Sequence, residues 1–279
     1  MHSEAMGFQG HPARKRFGQH WLKDQSVLDR IVAAADLRAG DRVLEVGPGR
    51  GALTERLLQS AASAVHAVEL DRDLVQGLQE RFGGEPRFSL RQGDVLDVPL
   101  LLEDGAPAAK VVANIPYNIT GPLLERLVGR LDRPVDPPYS TLVLLVQKEV
   151  AERIRARPGH SSFSALSVRM QLLARCRSVC AVPPRCFQPP PKVQSEVIQL
   201  DPFPRDQRLD PLLAKRVEAL LKQAFLARRK MLRNTLGSLL PEDQLQRLAA
   251  EAGISLQQRP QELAPEAWVA LARGLNRDH

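Results

Sequence analysis

Short apolar runs alternate with amphipathic segments along the first 150 residues of the chain. The run at 43–46 leads into a glycine-rich turn, and apolar positions then recur at helical spacing through 52–58. Further apolar runs, separated by helical or polar segments, lie at 64–70, 87–96, 110–118 and 140–147. Strands that alternate with helices in this way predict a parallel sheet with helices on both faces.

The pattern changes toward the C-terminus. The segments 176–183 and 195–200 flank a proline-rich stretch and are predicted to close the sheet as an antiparallel pair, which makes seven strands. Three prolines and many charges at 201–211 indicate a linker, and the segments beyond it have helical patterns punctuated by Pro or Gly. We therefore predict a first domain at 1–203, with a flexible basic tail at about 1–15, and a small all-helical domain at 204–279.

Composition is that of a globular protein, with 43% hydrophobic and 25% charged residues in a chain of 279. No apolar run approaches 18 residues and no apolar leader opens the chain, so we expect a cytoplasmic protein without a membrane contact. Cys176, Cys180 and Cys186 lack a Cys-x-x-Cys pair and a second ligand cluster. They are predicted to be reduced packing thiols, with no metal site.

Positive charge is concentrated in one part of the chain. The net charge is +7, and the segment 151–233 carries 17 Lys or Arg residues against 6 Asp or Glu residues. Such a surplus is found on solvated protein surfaces and on surfaces that bind polyanions. If the chain binds nucleic acid, its second half is the expected contact surface.

A nucleotide-like ligand is predicted by the turn V-G-P-G-R-G and by the acids that end the next strands. Gly47, Gly49 and Gly51 stand between a strand and a helix, where a ligand can approach the backbone and the unpaired N–H groups of the helix. Glu69 ends the second strand and is placed to accept hydrogen bonds from ribose hydroxyls. Asp94, after the third strand, is placed to hold an adenine amino group, although a helix cap or turn is its simpler interpretation.

Two tetrapeptides compete for the active site: N-I-P-Y at 114–117 and D-P-P-Y at 136–139. The first directly follows an apolar strand, and ligands of doubly wound sheets bind at the carboxyl ends of strands. The second follows a polar, proline-broken segment and precedes a strand. Position therefore favours N-I-P-Y, and D-P-P-Y is predicted to be a loop.

The residue types of N-I-P-Y suit a reaction at the exocyclic amino group of adenine. That amine is a poor nucleophile because its lone pair is delocalised, so a catalyst must align it with an electrophilic carbon. The Asn114 side-chain oxygen and the Ile115 carbonyl can each accept a hydrogen bond from that amino group, and Pro116 fixes the backbone that presents them. Tyr117 offers a face on which a base can stack. Alignment alone can remove several kcal/mol from such a barrier.

From Arg16 onward the chain resembles the KsgA family of small-subunit ribosomal RNA adenine dimethyltransferases. The shared motifs include RFGQHWLKD, VLEVGPGRGALT, VELDRDL, ANIPYNIT, FQPPPKV and ARRKMLRNTL. The resemblance implies a Rossmann-like, seven-stranded methyltransferase domain of the α/β class with a helical C-terminal domain. It also implies dimethylation of two adjacent adenines in a hairpin loop near the 3′ end of the RNA, during ribosome biogenesis.

The resemblance assigns residues to the cofactor, the base and the RNA. S-adenosylmethionine would contact His20, Leu22, Gly47, Glu69, Asp94 and Asn114. Asn is common where this chain has His20, so the contact expected there is one made by the backbone. Tyr117 and Phe187 would sandwich the extruded adenine. The expected RNA contacts are Arg228, Arg229, Lys230 and Arg233, the partner is RNA of an immature small subunit, and the enzyme is expected to be monomeric.

Three other functions stay open at this point. A macrolide-resistance methyltransferase of large-subunit ribosomal RNA shares the glycine turn, the N-I-P-Y type of site and the proline loop, although FLARRKMLRN favours the KsgA family. A ribosome assembly factor that mainly binds RNA would need only the basic second half. A dehydrogenase would leave N-I-P-Y and the proline loop unexplained.

Overall fold

The structure, a computed structural model, describes residues 19–102 and 105–275, so the tail predicted at 1–15 lies outside the described residues. The chain forms two compact units. The first contains residues up to 127 together with 139–151 and 177–202; the second contains 128–138, 152–176 and 203 onward. The predicted domains 1–203 and 204–279 remain a prediction, because compactness alone does not establish independent folding.

Strands and helices have the following bounds. The strands are β1 Trp21–Leu22, β2 Arg42–Val46, β3 Ala64–Glu69, β4 Phe88–Gln92, β5 Lys110–Asn114, β6 Gly129–Arg130, β7 Arg133–Pro134, β8 Thr141–Gln147, β9 Ala174–Val182, β10 Phe187–Gln188 and β11 Ser195–Pro202. The helices are α1 Gln25–Ala35, α2 Ala52–Gln59, α3 Arg72–Phe82, α4 Thr120–Val128, α5 Lys148–Arg155, α6 Ala165–Leu173, α7 Pro211–Phe225, α8 Leu232–Leu236, α9 Glu242–Glu251 and α10 Pro265–Gly274.

Seven of these strands form one sheet in the order β4-β3-β2-β5-β8-β11-β9, which confirms the predicted seven-stranded fold class. The strands from β4 to β8 run parallel, and β11 joins β8 antiparallel. The order reverses beside β2, since β3 and β4 lie on one side of it and β5 on the other. Such a reversal opens a crevice at the carboxyl ends of the two central strands.

Backbone hydrogen bonds show how the crevice opens. Just beyond β2, the Gly47 N–H donates to Val68 O at 3.0 Å, toward β3. Just beyond β5, the Ile115 N–H donates to Leu145 O at 3.1 Å, toward β8. The segments that follow β2 and β5 therefore diverge where the pairing between these two strands ends. The glycine turn and N-I-P-Y begin at that point.

The second unit is mainly helical. α10 packs against α6, α7 and α9, and its Trp268 is fully buried beside Phe225. The first of the helical patterns predicted beyond the linker, at 211–240, is interrupted in the structure by a turn at 226–231. The reason is a tertiary contact: Gln258 O and Leu256 O accept the N–H groups of Leu232 and Arg233, which a continuous helix would pair internally.

Among the described residues, none of the helices has the length and apolar character that crossing a membrane requires.

Lys110 anchors the start of β5, the strand that ends at Asn114. Its Nζ lies 3.0 Å from Ala35 O and 2.6 Å from Asp36 O, at the C-terminal end of α1, and 2.9 Å from an Asp41 carboxylate oxygen. Hydrogen bonds from charged groups contribute about 1.5–3 kcal/mol each.

We expect Lys110→Met to lower the free energy of unfolding by at least about 2 kcal/mol, because it removes the charged donor from the Ala35 and Asp36 carbonyls, whereas Asp41 keeps the Arg38 N–H. Urea denaturation measures the change. The control is Arg38→Met, which removes an exposed ion pair to Asp36 and should change stability by less than about 0.5 kcal/mol. Equal effects of the two substitutions would contradict the anchoring role.

Candidate active site

A cavity lies at the carboxyl ends of β2, β3 and β5. The predicted residues that line it are His20, Gly47, Gly49, Glu69, Asp94, Asn114, Ile115, Pro116 and Tyr117. Segments distant in sequence thus meet at one place. D-P-P-Y instead precedes β8, where Tyr139 is buried and Asp136 pairs with Arg205 and Arg208.

The glycine turn is shaped by positive φ angles and by close packing. Gly47 has φ +66° and lines the cavity, whereas Gly49 has φ +60° and lies so close to Trp21 that a Cβ would approach its ring to 3.0 Å. Gly51, at φ +80°, faces Phe82, which a Cβ would meet at 2.5 Å. Gly51 is therefore required by helix packing, and Gly47 and Gly49 form the cavity wall.

Glu69 is a buried carboxylate that is held by the backbone. It is 7% exposed, and its two oxygens accept the Gly49 N–H at 3.1 Å and the Asp71 N–H at 2.9 Å. Burial raises the pKa of Glu69, and these two hydrogen bonds oppose the rise. Each oxygen keeps a lone pair, so the side chain can still accept hydrogen bonds from a ligand in the cavity.

Asp94 makes a turn contact and also lies in the cavity wall. Its Oδ1 accepts the Leu96 N–H at 2.9 Å, which is a turn contact, and the side chain also lines the cavity. Val68, Leu70 and Val95 add apolar walls near it. Two carboxylates beside apolar walls suit a nucleoside, because ribose and the adenine amino group donate hydrogen bonds and the base is flat and apolar on its faces. The residues present therefore fit S-adenosylmethionine.

The Asn114 amide has a defined orientation. Its Nδ2 donates to the His20 carbonyl oxygen at 3.2 Å, and a carbonyl can only accept. The Asn114 Oδ1 is consequently the atom left for a donor in the cavity. Ile115 and Pro116 follow in the cavity wall, and Pro116 has φ −57° as it enters a single 3₁₀ turn at Tyr117–Ile119.

Tyr117 is half-buried and held at both its hydroxyl and its ring. The hydroxyl lies 2.5 Å from the Oγ of Ser195, which is fully buried at the start of β11. The ring stacks on His20 with 5.8 Å between centroids and 25° between planes. Burial raises the pKa of Tyr117, and the hydrogen bond to Ser195 opposes the rise. The phenol is therefore neutral near pH 7.

Phe187 and Leu22 are not brought to the cavity surface. They are 2% and 6% exposed, belong to the hydrophobic core, and face one another in the antiparallel pair of β1 and β10. A stacking role for Phe187 stays a prediction that requires its ring to leave the core. Cys180 and Cys186 are buried and all three cysteines are free thiols.

Sequence reasoning missed the contribution of Gln19 and Trp21, which also line the cavity. Gln19 Nε2 donates to Asp71 Oδ2 at 3.0 Å, and the Arg50 guanidinium lies 3.8 Å from the Trp21 ring centroid. The segment GQHWL forms no recognisable strand or helix pattern. Its polar and aromatic residues, directly before a helix, were the one signal that could have indicated these two cavity-lining residues.

The four predicted RNA contacts form a basic cluster in the second unit. Arg228, Arg229 and Lys230 lie in the turn at 226–231, and Arg233 lies in α8. Arg229, Lys230 and Arg233 are exposed, whereas the half-buried Arg228 donates to Ser161 O. Three of the four cations are thus available to a phosphate backbone. Among the described residues, no cluster of His, Cys, Asp or Glu could hold a metal ion.

The sequence matches one family of known proteins and relatives that carry a corresponding name. The family described as ribosomal RNA adenine dimethylase matches residues 10–277. The chain is 82% identical to ribosomal RNA small subunit methyltransferase A of Parasynechococcus marenigrum (strain WH8102), over 97% of this chain and 90% of that protein. It is 78% identical to the protein of the same name from Synechococcus sp. (strain CC9605), over 98% and 99%.

Solved structures show the same fold. A dimethyladenosine transferase from Plasmodium falciparum superposes with a TM-score of 0.75 at 27% identity, over 90% of this chain and 96% of that one. The 23S rRNA methyltransferase ErmE superposes with a TM-score of 0.71 at 28% identity, over 92% and 100%. A methyltransferase named for 23S rRNA therefore shares this fold, so similarity of fold alone does not identify the RNA substrate.

Glu45 is a buried acid near the end of β2, just before the glycine turn, and no role for it was predicted from the sequence. Burial raises its pKa from 4.5 to about 8, the negative charge of Glu69 adds to the rise, and the Thr54 hydroxyl opposes it. Its contribution to stability is fully present below the pKa of the unfolded chain. It is lost as the pH rises from about 4.5 to 8, because only the unfolded chain releases the proton there.

We expect Glu45→Gln to remove this pH dependence. Relative to the native protein, the free energy of unfolding of the variant should rise between pH 5 and pH 8, at up to about 1.4 kcal/mol per pH unit. Denaturation at several pH values measures the difference, and the exposed Glu80→Gln controls for the loss of an acid. Parallel curves for the native protein and Glu45→Gln would contradict a buried, neutral Glu45.

Proposed function

Because the chain belongs to the ribosomal RNA adenine dimethylase family, we propose that it dimethylates two adjacent adenines in a hairpin loop near the 3′ end of small-subunit ribosomal RNA. The predicted family and class of enzyme are confirmed: the chain is a ribosomal RNA adenine methyltransferase that uses S-adenosylmethionine. The observation that carries the small-subunit assignment is the 82% identity to a protein named for that subunit.

The cofactor supplies a methyl group on a positively charged sulfur, and the chain's residues hold its two ends. We assign Glu69 to the ribose hydroxyls, since its carboxylate is fixed by two backbone N–H groups and keeps free lone pairs. Asp94 is assigned to the adenine amino group. Gly47 and Gly49 allow the cofactor to approach the backbone, and His20 and Leu22 would contribute backbone groups of the segment that precedes α1.

The acceptor adenine would be bound at N-I-P-Y. In the first transfer, the Asn114 Oδ1 accepts one hydrogen bond from the amino group and the Ile115 carbonyl accepts another. Each transfer replaces one N–H by N–CH3 and releases a proton, so the monomethylated amine keeps one N–H for these acceptors. The nitrogen is then held with its lone pair toward the methyl carbon. Stacking on Tyr117 contributes about 1–3 kcal/mol and keeps the extruded base in that orientation. Phe187 would complete the stack after leaving the core.

A hairpin loop is a suitable substrate for this site. Its bases are less constrained than paired bases, so turning one out of its stack costs less free energy. Arg229, Lys230 and Arg233 would contact the phosphate backbone, with Arg228 holding the turn through Ser161. We propose that the natural substrate is an immature small subunit in the cytoplasm and that the enzyme acts as a monomer.

The direct test is to incubate the protein with methyl-labelled S-adenosylmethionine and immature small subunits, and then to identify the modified nucleosides. We expect dimethyladenine at two adjacent loop positions. Asn114→Ala should lower the rate at saturating cofactor by about 100-fold, because alignment of the amino group is lost. The exposed Gln246→Ala is the control for loss of a side-chain amide. Label found in large-subunit RNA alone would contradict the proposed substrate.

RNA binding should depend on salt through the exposed cations of the second unit. We expect each of Arg229→Gln, Lys230→Gln and Arg233→Gln to weaken RNA binding and to reduce the slope of log affinity against log salt by about 0.7–0.9. Filter binding at several salt concentrations gives the slope. Arg38→Gln also removes one exposed cation, in the first unit, and should leave the slope unchanged. An unchanged slope in all three variants would exclude these residues as phosphate contacts.

A further inference from the structure

His20 contacts two other segments of the site, N-I-P-Y and the proline loop. Its backbone oxygen accepts the Asn114 Nδ2 at 3.2 Å, its ring Nδ1 lies 2.9 Å from Pro189 O, and its ring stacks on Tyr117. Because a carbonyl oxygen only accepts, Nδ1 must carry the proton of that hydrogen bond. The side chain is therefore directed to the residues proposed to receive the base, and only the backbone is engaged with Asn114.

We propose that the His20 imidazole is a positioning residue for the acceptor adenine, which holds Tyr117 and the proline loop at 186–189 in the arrangement that receives the base. The side chain then governs use of the RNA substrate and not affinity for S-adenosylmethionine. This inference rests on the proposed function, because it assigns His20 to the base-binding part of that same site.

Tyr117 needs two contacts to hold its ring in place. The Ser195 Oγ fixes the hydroxyl at 2.5 Å, but rotation about the axis through that hydroxyl would still turn the ring face. The His20 ring, at 25° to the ring of Tyr117, restricts this rotation. A base that stacks on Tyr117 is therefore oriented by His20, although it need not touch the imidazole.

The proline loop is held by the same segment. Lys23 N–H donates to Cys186 O at 2.9 Å, β1 pairs with β10, and the His20 side chain extends these contacts to Pro189. Phe187 lies between the anchored ends of this loop. The hydrogen bond from His20 thus sets the position of the loop that carries the second proposed stacking ring.

Three substitutions separate the two contacts of the side chain. His20→Phe keeps an aromatic ring and loses the donor, His20→Gln keeps a donor and loses the ring, and His20→Ala loses both. For each we would measure the dissociation constant of S-adenosylmethionine by equilibrium dialysis, and kcat and KM with immature small subunits. The exposed Gln25→Ala, in the same segment of chain, is the control.

We expect cofactor affinity to stay within about twofold in all variants, while kcat/KM for the RNA falls about 10- to 100-fold in His20→Ala and by less in His20→Phe and His20→Gln. An RNA with 2-aminopurine at the first target position reports stacking directly, and its fluorescence change on binding should be smallest with His20→Ala. If His20→Ala does not fold, the Phe and Gln variants are compared with the native protein by the same criteria.

Two results would overturn the inference: native kcat/KM in the His20 variants, or a loss of cofactor affinity that accounts for the loss of activity. Activity of the native protein on small subunits tests the proposed function separately. If the native protein methylated only large-subunit RNA, that function would fail, and the variants would be compared on that RNA instead.

Discussion

The reversal of strand order beside β2 is the constraint on which the rest of the site depends. In a parallel sheet, every strand ends at the same edge. Only where the strand order reverses do the segments that follow two neighbouring strands leave that edge in opposite directions. The Gly47 N–H bonds to a carbonyl of β3 and the Ile115 N–H to a carbonyl of β8, so a crevice opens between the glycine turn and N-I-P-Y. The residues proposed to hold the methyl donor therefore lie beside those proposed to hold the acceptor amine.

Two polar side chains of this crevice, the buried Glu69 and the half-buried Asn114, are only partly satisfied by hydrogen bonds within the protein. Glu69 and Asn114 each use some of their hydrogen-bonding capacity on the protein backbone, which fixes their orientation, and keep the remainder for the cavity. One of the two N–H groups that Glu69 accepts belongs to Gly49, so the shape of the glycine turn and the position of the acid depend on each other. The site is therefore largely formed by the fold itself.

The sequence predicted those features whose signals are local. Apolar runs next to glycines placed β2 and the turn after it, and the run before N-I-P-Y placed Asn114 at the end of β5. Features set by distant contacts were missed or misplaced. β1 is only two residues long and exists because it pairs with β10, which also buries Phe187; the break at 226–231 depends on carbonyls at 256 and 258. Residues with good helix propensity do not reveal such a break.

The most direct measurement is a crystal structure of the protein with a bisubstrate analogue, in which the amino nitrogen of adenosine is joined by a short linker to the adenosine part of the cofactor. We expect the linked nitrogen to lie within hydrogen-bonding distance of Asn114 Oδ1, with the acceptor base stacked on Tyr117 and the cofactor ribose at Glu69. An analogue bound outside this crevice, or bound with the acceptor base away from N-I-P-Y, would contradict it.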